Sequence, residues 1–406
     1  MSLPPPTSSF TIPSLHDDLE LDCRIYYPHR SDSVNQTLAI LAHPYAPLGG
    51  SYDDGVIALV GSALLRKGIL LGTFNFRGAP GSPGRTSWSG RAELGDYVAF
   101  YAVMLRFAQA TTTMLVSSDG TRAGAESPLL IVGGYSYGSL IASCVPPQND
   151  MIKLLGNPDN GSTESEIGLR AQQLAKDYVA YLKLQRQESS KRGRVSLHAT
   201  SSEGTPGSQA IVGGYDSEAA SRRISRDSSI RSLDGQRVRQ SLDRARHRLT
   251  RRTNSDRELL ATPSSKLPVS SQKPPDVRVA YLLVSPILPP VSGFITFFSK
   301  PSFERQKSSN GGLYKDRSDK EEKLLKHQSC VIYGDKDSFT SSKKVKKWVD
   351  GLQQRANALS SYGIEGAGHF WTEPGAADRL TESVTIWLNR LLPDNGTGHT
   401  VRTIPD

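Results

Sequence analysis

Cysteine is scarce in this chain. Three residues in 406, Cys23, Cys144 and Cys330, cannot build a disulfide framework, and none sits at metal-ligand spacing. A disulfide-stapled secreted scaffold is excluded, a reducing compartment suits the chain, and neither a metal nor another cofactor is expected. Apolar residues are also few, at 37%, below the usual range for a compact domain, so part of the chain is expected to stay unfolded. No apolar run approaches the roughly 20 residues of a membrane span. The opening "MSLPPPTSSF" lacks the basic and apolar regions of a signal peptide. The expectation is a soluble, cytoplasmic protein.

Positive charge is absent from the balance of most of the chain and concentrated in one segment. The formal net charge is +9. Between Lys191 and Lys273 there are 17 Lys and Arg against 8 Asp and Glu, and the remainder is neutral. That segment has one aromatic residue, Tyr215, among many Ser, Gly and Arg. Such a composition buries too little apolar surface to offset its chain entropy. Residues 187–276 are therefore expected to be a disordered, basic, Ser/Arg-rich insert. Before it, "ESEIGLRAQQLAKDYVAYLKLQ" carries Ile167, Leu169, Leu174, Val179, Leu182 and Leu184 at helical spacing. A second loose segment is expected from Lys300 to Lys323.

Outside the insert, strand and helix patterns alternate. "ELDCRIYYP", "QTLAILAH", "ILLGTFNF", "VRVAYLLVS", "SCVIYGD" and "LSSYGIEGA" read as strands. "SYDDGVIALVGSALLRKG", "GRAELGDYVAFYAVMLRFAQ", "SSKKVKKWVDGLQQ" and "AADRLTESVTIWLNRLL" read as helices. The alternation predicts an α/β class: a mostly parallel sheet flanked by helices. Its first part spans 1–186, its second part 277–393, and 394–406 is a flexible tail.

One stretch concentrates the chemistry. In "LLIVGGYSYGSLIAS", Leu129 to Ser143, an apolar strand runs into glycines around a serine, and an apolar helix start follows. Gly134 and Gly138 supply the small side chains that a sharp strand-to-helix turn needs. Ser136 is then held in strain at the apex, its hydroxyl exposed above the sheet: a nucleophile elbow. The pentapeptide also arises by chance, so its strand–helix context carries the weight.

A serine needs a base, and the base an orienting acid, in the chain order Ser, Asp or Glu, His. Of the eight histidines, His369 in "IEGAGHFW" follows a strand in a small-residue turn before the last helix and is the candidate base. His16, His29 and His43 precede the serine; His198 and His247 lie in the insert; His327 and His399 have charged or polar settings. The acid is expected in "CVIYGDKDSFTS", with Asp337 preferred and Asp335 the alternative. Backbone N–H groups must meet the oxyanion. Tyr137, after the nucleophile, and Tyr45, in "LAHPYAPLGGSYDD", are the candidate donors, with Ala46 the alternative to Tyr45; Pro44 and Pro47 have no N–H. His43 is read as ordering that loop. Arg77, Arg85 and Arg91 flank a glycine-rich loop near the site; they either meet an anionic substrate group or tie down the loop, and the second reading is preferred. Glu93 and Asp96 open a helix, where carboxylates suit the dipole.

The blocks "AHPYAPLGGSYDD", "FNFRGAPGSPGRTSWSGRAELGDY", "GGYSYGS", "IYGDKDSF" and "GAGHF" resemble successive blocks of the α/β-hydrolase superfamily. They are most similar to its small intracellular dienelactone-hydrolase-like and acyl-peptidase-like branch. The resemblance covers about 19–143 and 277–392. It implies the α/β-hydrolase fold, with Ser136 as nucleophile, His369 as base and Asp337 as acid. The basic insert and the Lys300–Lys323 segment depart from the family pattern.

Two classes of function remain. The first is a serine hydrolase of a small-molecule ester, thioester or amide, working through an acyl-enzyme and carboxylesterase-like. The second is an inactive scaffold whose insert binds partners. "RRIS", "RVRQS" and "RRTNS" place arginines before Ser225, Ser241 and Ser255, as basophilic kinases require. Nucleic acid is the less favoured partner, because the insert lacks interleaved aromatics. An intact triad favours the first class.

Overall fold

A computed structural model describes residues 2–28, 36–87, 89–119, 127–198, 275–288 and 317–392. Eight strands form one sheet: β1 (Ser8–Pro13), β2 (Glu20–Tyr26), β3 (Thr37–Ala42), β4 (Leu70–Phe74), β5 (Leu129–Tyr135), β6 (Arg278–Val284), β7 (Ser329–Gly334) and β8 (Leu359–Ile364). The helices are α1 (Gly55–Arg66), α2 (Arg91–Asp119), α3 (Tyr137–Ala142), α4 (Gln148–Leu154), α5 (Thr163–His198), α6 (Arg317–Lys326), α7 (Ser342–Gln353) and α8 (Ala376–Leu391).

The strand order is β1-β2-β4-β3-β5-β6-β7-β8. β1, β2 and β4 pair antiparallel, and every other neighbouring pair is parallel. Parallel strands need crossovers, and helices on both faces then bury both sides of each strand. This is why β3, β4, β5 and β7 are buried along their whole length. The alternation is visible in β3, where Leu38, Ile40 and Ala42 join one core and Ala39 and Leu41 the other. The first core takes residues of α2, α3, α5 and α7, the second those of α1 and α8. With β5 central and a strained serine turn at its end, the chain has the α/β-hydrolase fold.

Local chemistry sets several boundaries. The Asp54 carboxylate caps α1 by accepting the Val56 and Ile57 N–H groups at 2.8 and 3.3 Å. Gly68, with φ of 75°, follows its C-terminus. In α5, Ile167, Ala171, Leu174, Ala175 and Tyr178 enter the core, whereas Leu169 and Leu184 are exposed. Two alanines that the apolar pattern passed over thus complete the stripe.

The structure corrects three boundaries. β1 was not anticipated: "SSFTIP" is a short edge strand with only its last two residues buried. α5 continues through His198, so the start of the predicted insert is helical. α6 occupies the end of the Lys300–Lys323 segment. It is held by the buried Leu324, by Lys323 donating to the Val145 carbonyl, and by a Glu322–Lys326 pair at 2.6 Å. The chain divides into two units, one of 1–194 with 274–406 and one of 195–273. The rest of the basic insert, with Ser225, Ser241 and Ser255, lies outside the described residues, as does the tail 394–406. Among the described residues, no helix is long and apolar enough to cross a membrane.

Candidate active site

The site lies where β5, β7 and β8 end on the same edge of the sheet. β5 runs directly into α3 through Ser136, whose φ of 56° and ψ of −115° lie outside the regions a serine prefers. Such a conformation costs on the order of 1–3 kcal/mol and persists only where its surroundings hold it. They do so closely. The Ser136 N–H donates to the Val284 carbonyl of β6 at 2.9 Å, and the Ser139 hydroxyl donates to the Ser136 carbonyl at 2.7 Å. A Cβ on Gly138 would stand 2.2 Å from the Ala42 carbonyl oxygen, so only glycine lets α3 start against the end of β3.

Ser136, His369 and Asp337 are each at least nine-tenths buried. His369 Nε2 lies 2.8 Å from Ser136 Oγ, and His369 Nδ1 lies 2.7 Å from Asp337 Oδ2. An ionised carboxylate only accepts, so Nδ1 carries the proton and Nε2 presents its lone pair to the serine hydroxyl. The other Asp337 oxygen accepts the Phe339 and Thr340 N–H groups at 2.8 and 3.0 Å, which fixes the carboxylate plane. Asp335 is exposed and turns away to accept the Gly366 N–H at 2.6 Å. Of the two candidate acids, Asp337 is the one that meets the imidazole.

Aromatic groups hold the imidazole. The Phe339 ring lies 4.3 Å from it, and the Tyr135 and Phe370 rings each 5.5 Å away. The Tyr135 hydroxyl donates to the His369 carbonyl at 2.9 Å. Trp371, with φ of 58°, donates its indole N–H to Ser285 Oγ at 3.1 Å, tying the loop after β8 to the loop after β6. These supports were not anticipated. The tyrosine beside the serine was visible, but its partner lies 234 residues away.

Tyr45 precedes a short 3-10 turn, Ala46–Leu48, in the loop after β3. Its ring packs edge-on against Tyr137 at 5.1 Å. The Tyr45 N–H has no acceptor among the described residues, and the Tyr137 N–H opens α3, where a helix offers no internal acceptor. The loop is ordered by His43, which is fully buried. His43 Nδ1–H donates to the Pro44 carbonyl at 2.6 Å and Nε2 accepts the Phe76 N–H at 2.9 Å. Burial pushes its pKa down to about 4, so the ring is neutral in that single tautomer.

Arg77 is committed to the fold. It donates through Nε and Nη2 to Asp96 at 2.9 and 2.6 Å, and through Nη1 and Nη2 to Asp17 at 2.9 and 3.0 Å. Ser14 adds a bond to Asp96 at 2.6 Å. Glu93 is fully buried and accepts the backbone and hydroxyl protons of Ser87, so it closes the glycine-rich loop. Burial raises its pKa. Arg85 and Arg91 are exposed and make no ion pair among the described residues. Among the described residues, no group of three His, Cys, Asp or Glu is placed to hold a metal ion.

No protein-family model and no curated protein matches the chain. Solved structures do. A serine hydrolase homologue of the alpha-beta type from Coxiella burnetii is 13% identical, with a TM-score of 0.41, over 94% of this chain and 97% of that one. A lidless a/b serine hydrolase from Xanthomonas campestris is 14% identical, with a TM-score of 0.40, over 98% and 100%. An esterase from Pyrococcus furiosus is 12% identical, with a TM-score of 0.41, over 94% and 89%. The fold assignment rests on this chain's own strand order and elbow.

Proposed function

We propose that the chain is a serine hydrolase that cleaves an ester, thioester or amide through an acyl-enzyme. The observation that supports this most is the hydrogen-bonded line from Ser136 Oγ through His369 to Asp337, at 2.8 and 2.7 Å, on a strained elbow. Ser136 attacks the carbonyl carbon as His369 Nε2 takes its proton. Asp337 holds the tautomer and stabilises the imidazolium that forms. The N–H groups of Tyr45 and Tyr137 receive the developing oxyanion. His369 returns the proton to the leaving atom, and water then releases the acid by the same route. The Ser136–His369–Asp337 hydrogen bonds supply the proton path that this sequence of steps uses. A cytoplasmic location and kinship with the dienelactone-hydrolase-like branch belong to the same proposal.

The test is labelling with a fluorophosphonate together with hydrolysis of 4-nitrophenyl acetate. Wild-type protein should lose its esterase activity on labelling, with the adduct on Ser136, and Ser136→Ala should show neither. Labelling that persists in the alanine variant, or a folded wild type that shows neither, overturns the reading.

A further inference from the structure

A cavity of about 320 Å³ opens beside the triad. Phe339 belongs to both: its ring lies 4.3 Å from the His369 imidazole and also lines the cavity. Leu288 completes the apolar wall, and Thr340, Ser341, Lys343, Lys344 and Lys347 supply the rest of the lining. Among the described residues, the charge in this cavity has no ion-pair partner. The three lysines are exposed. The first turn of α7 has no acidic residue, and the Ser341 hydroxyl makes no capping bond. The carboxylates of the adjoining loop are spent elsewhere, Asp337 on His369 and two N–H groups, Asp335 on Gly366. Lys343 and Lys347 stand four apart on one helix face, where like charges weaken a helix unless an anion lies between them.

The position of the cavity assigns its occupant. In acyl transfer the imidazole hands its proton to the departing atom, so the leaving group must lie alongside His369. Phe339 packs on that imidazole, and the cavity adjoins the imidazole through this ring. Building on the hydrolase reading above, we infer that this cavity is a leaving-group subsite for an alcohol or thiol that bears a phosphate. The bond from Ser136 Oγ to the acyl carbon forms, and the carbon–oxygen or carbon–sulfur bond breaks. The leaving atom takes the proton that His369 received from Ser136. The phosphate stays on the leaving group throughout, held by the lysines and the α7 N-terminus.

The experiment compares matched pairs that differ in the phosphate: the acetyl ester of glycerol 3-phosphate against glycerol monoacetate, and S-acetyl-4′-phosphopantetheine against S-acetylpantetheine. The first pair reports an alcohol leaving group, the second a thiol. At low salt the phosphorylated member of at least one pair should have the higher kcat/KM, by about tenfold or more, as charge focusing in a lined cleft produces. Raising the ionic strength to about 0.5 M, where the Debye length is about 4 Å, should erase most of that preference. The triple variant K343Q/K344Q/K347Q should erase it too, read as the ratio of the two kcat/KM values within each pair. Equal kcat/KM within both pairs overturns the inference, as does a preference that survives both high salt and the triple variant. If Ser136 does not label and no ester is cleaved, the hydrolase reading itself fails and takes the inference with it.

Discussion

The hydroxyl of Tyr135 donates to the main-chain carbonyl of His369 at 2.9 Å. The residue before Ser136 thus holds the backbone of His369, while the Val284 carbonyl holds the Ser136 N–H at 2.9 Å. Neither bond touches a reacting atom, yet together they set the distance between Ser136 and His369.

Tyr135→Phe keeps the ring against the imidazole and removes the tether. The buried His369 carbonyl then lacks that donor, which costs about 1–3 kcal/mol. Urea unfolding should show that loss. The rate of fluorophosphonate labelling should fall by about tenfold or more, because small misplacements of reacting groups are costly. KM for a neutral ester should change little. An unaltered labelling rate in a destabilised variant would mean that the tether supports the fold and not the site.

The elbow was legible because its signal is local: an apolar strand, two glycines and a serine within one short stretch. His369 was legible for the same reason, at the junction of a strand and the last helix. The choice between Asp335 and Asp337 was not settled by pattern, because both lie in the same turn. The turn decides it, sending Asp335 to the Gly366 N–H and Asp337 to His369. The roles of Tyr135, Phe339 and Trp371 depend on contacts between distant segments, and no local rule reports them. β1 escaped notice because an edge strand with two buried residues carries little alternation. α6 escaped because its helix is charged and anchored by Leu324 and Lys323.

The two aspartates should separate cleanly in a mutational test. Asp337→Asn preserves shape but lets the side chain donate, which favours the wrong imidazole tautomer. kcat for an ester should fall by about 10³–10⁴, with the protein still folded. Asp335→Asn should leave kcat within a few-fold, because the amide oxygen can still accept from Gly366. A larger loss at Asp335 than at Asp337 would exchange their roles.

His43 gives the fold an acid limit of its own. Its folded pKa lies at about 4, below its ordinary value of 6.5, because burial disfavours the charged ring. Above pH 6.5 the ring is neutral in both folded and unfolded chains, and its contribution to stability is complete. Below 6.5 the unfolded chain binds a proton that the folded chain refuses until about pH 4. Stability is therefore lost across that window, by up to about 3 kcal/mol. Urea midpoints measured from pH 7 to 4 should fall more steeply for wild type than for His43→Asn, by the slope of about one proton. Parallel profiles would show that His43 does not set this dependence.

Arg77 lies in the glycine-rich loop next to the site, and its role is decided by what it already holds. Its guanidinium is almost fully buried and pairs with the fully buried Asp96 and the partly exposed Asp17. Nε, Nη1 and Nη2 all donate to these two carboxylates, which hold the guanidinium in place. Removing the arginine strands the Asp96 carboxylate in the interior, a change that costs about 3–5 kcal/mol for a buried pair. Arg77→Ala should therefore lower the urea midpoint sharply. Asp96→Asn combined with Arg77→Gln should recover part of that loss, because the buried charges are removed together. Under conditions where the double variant is folded, its KM for a negatively charged ester should match wild type. A rise in KM for the charged ester alone, without a stability loss, would move Arg77 from the scaffold to the substrate.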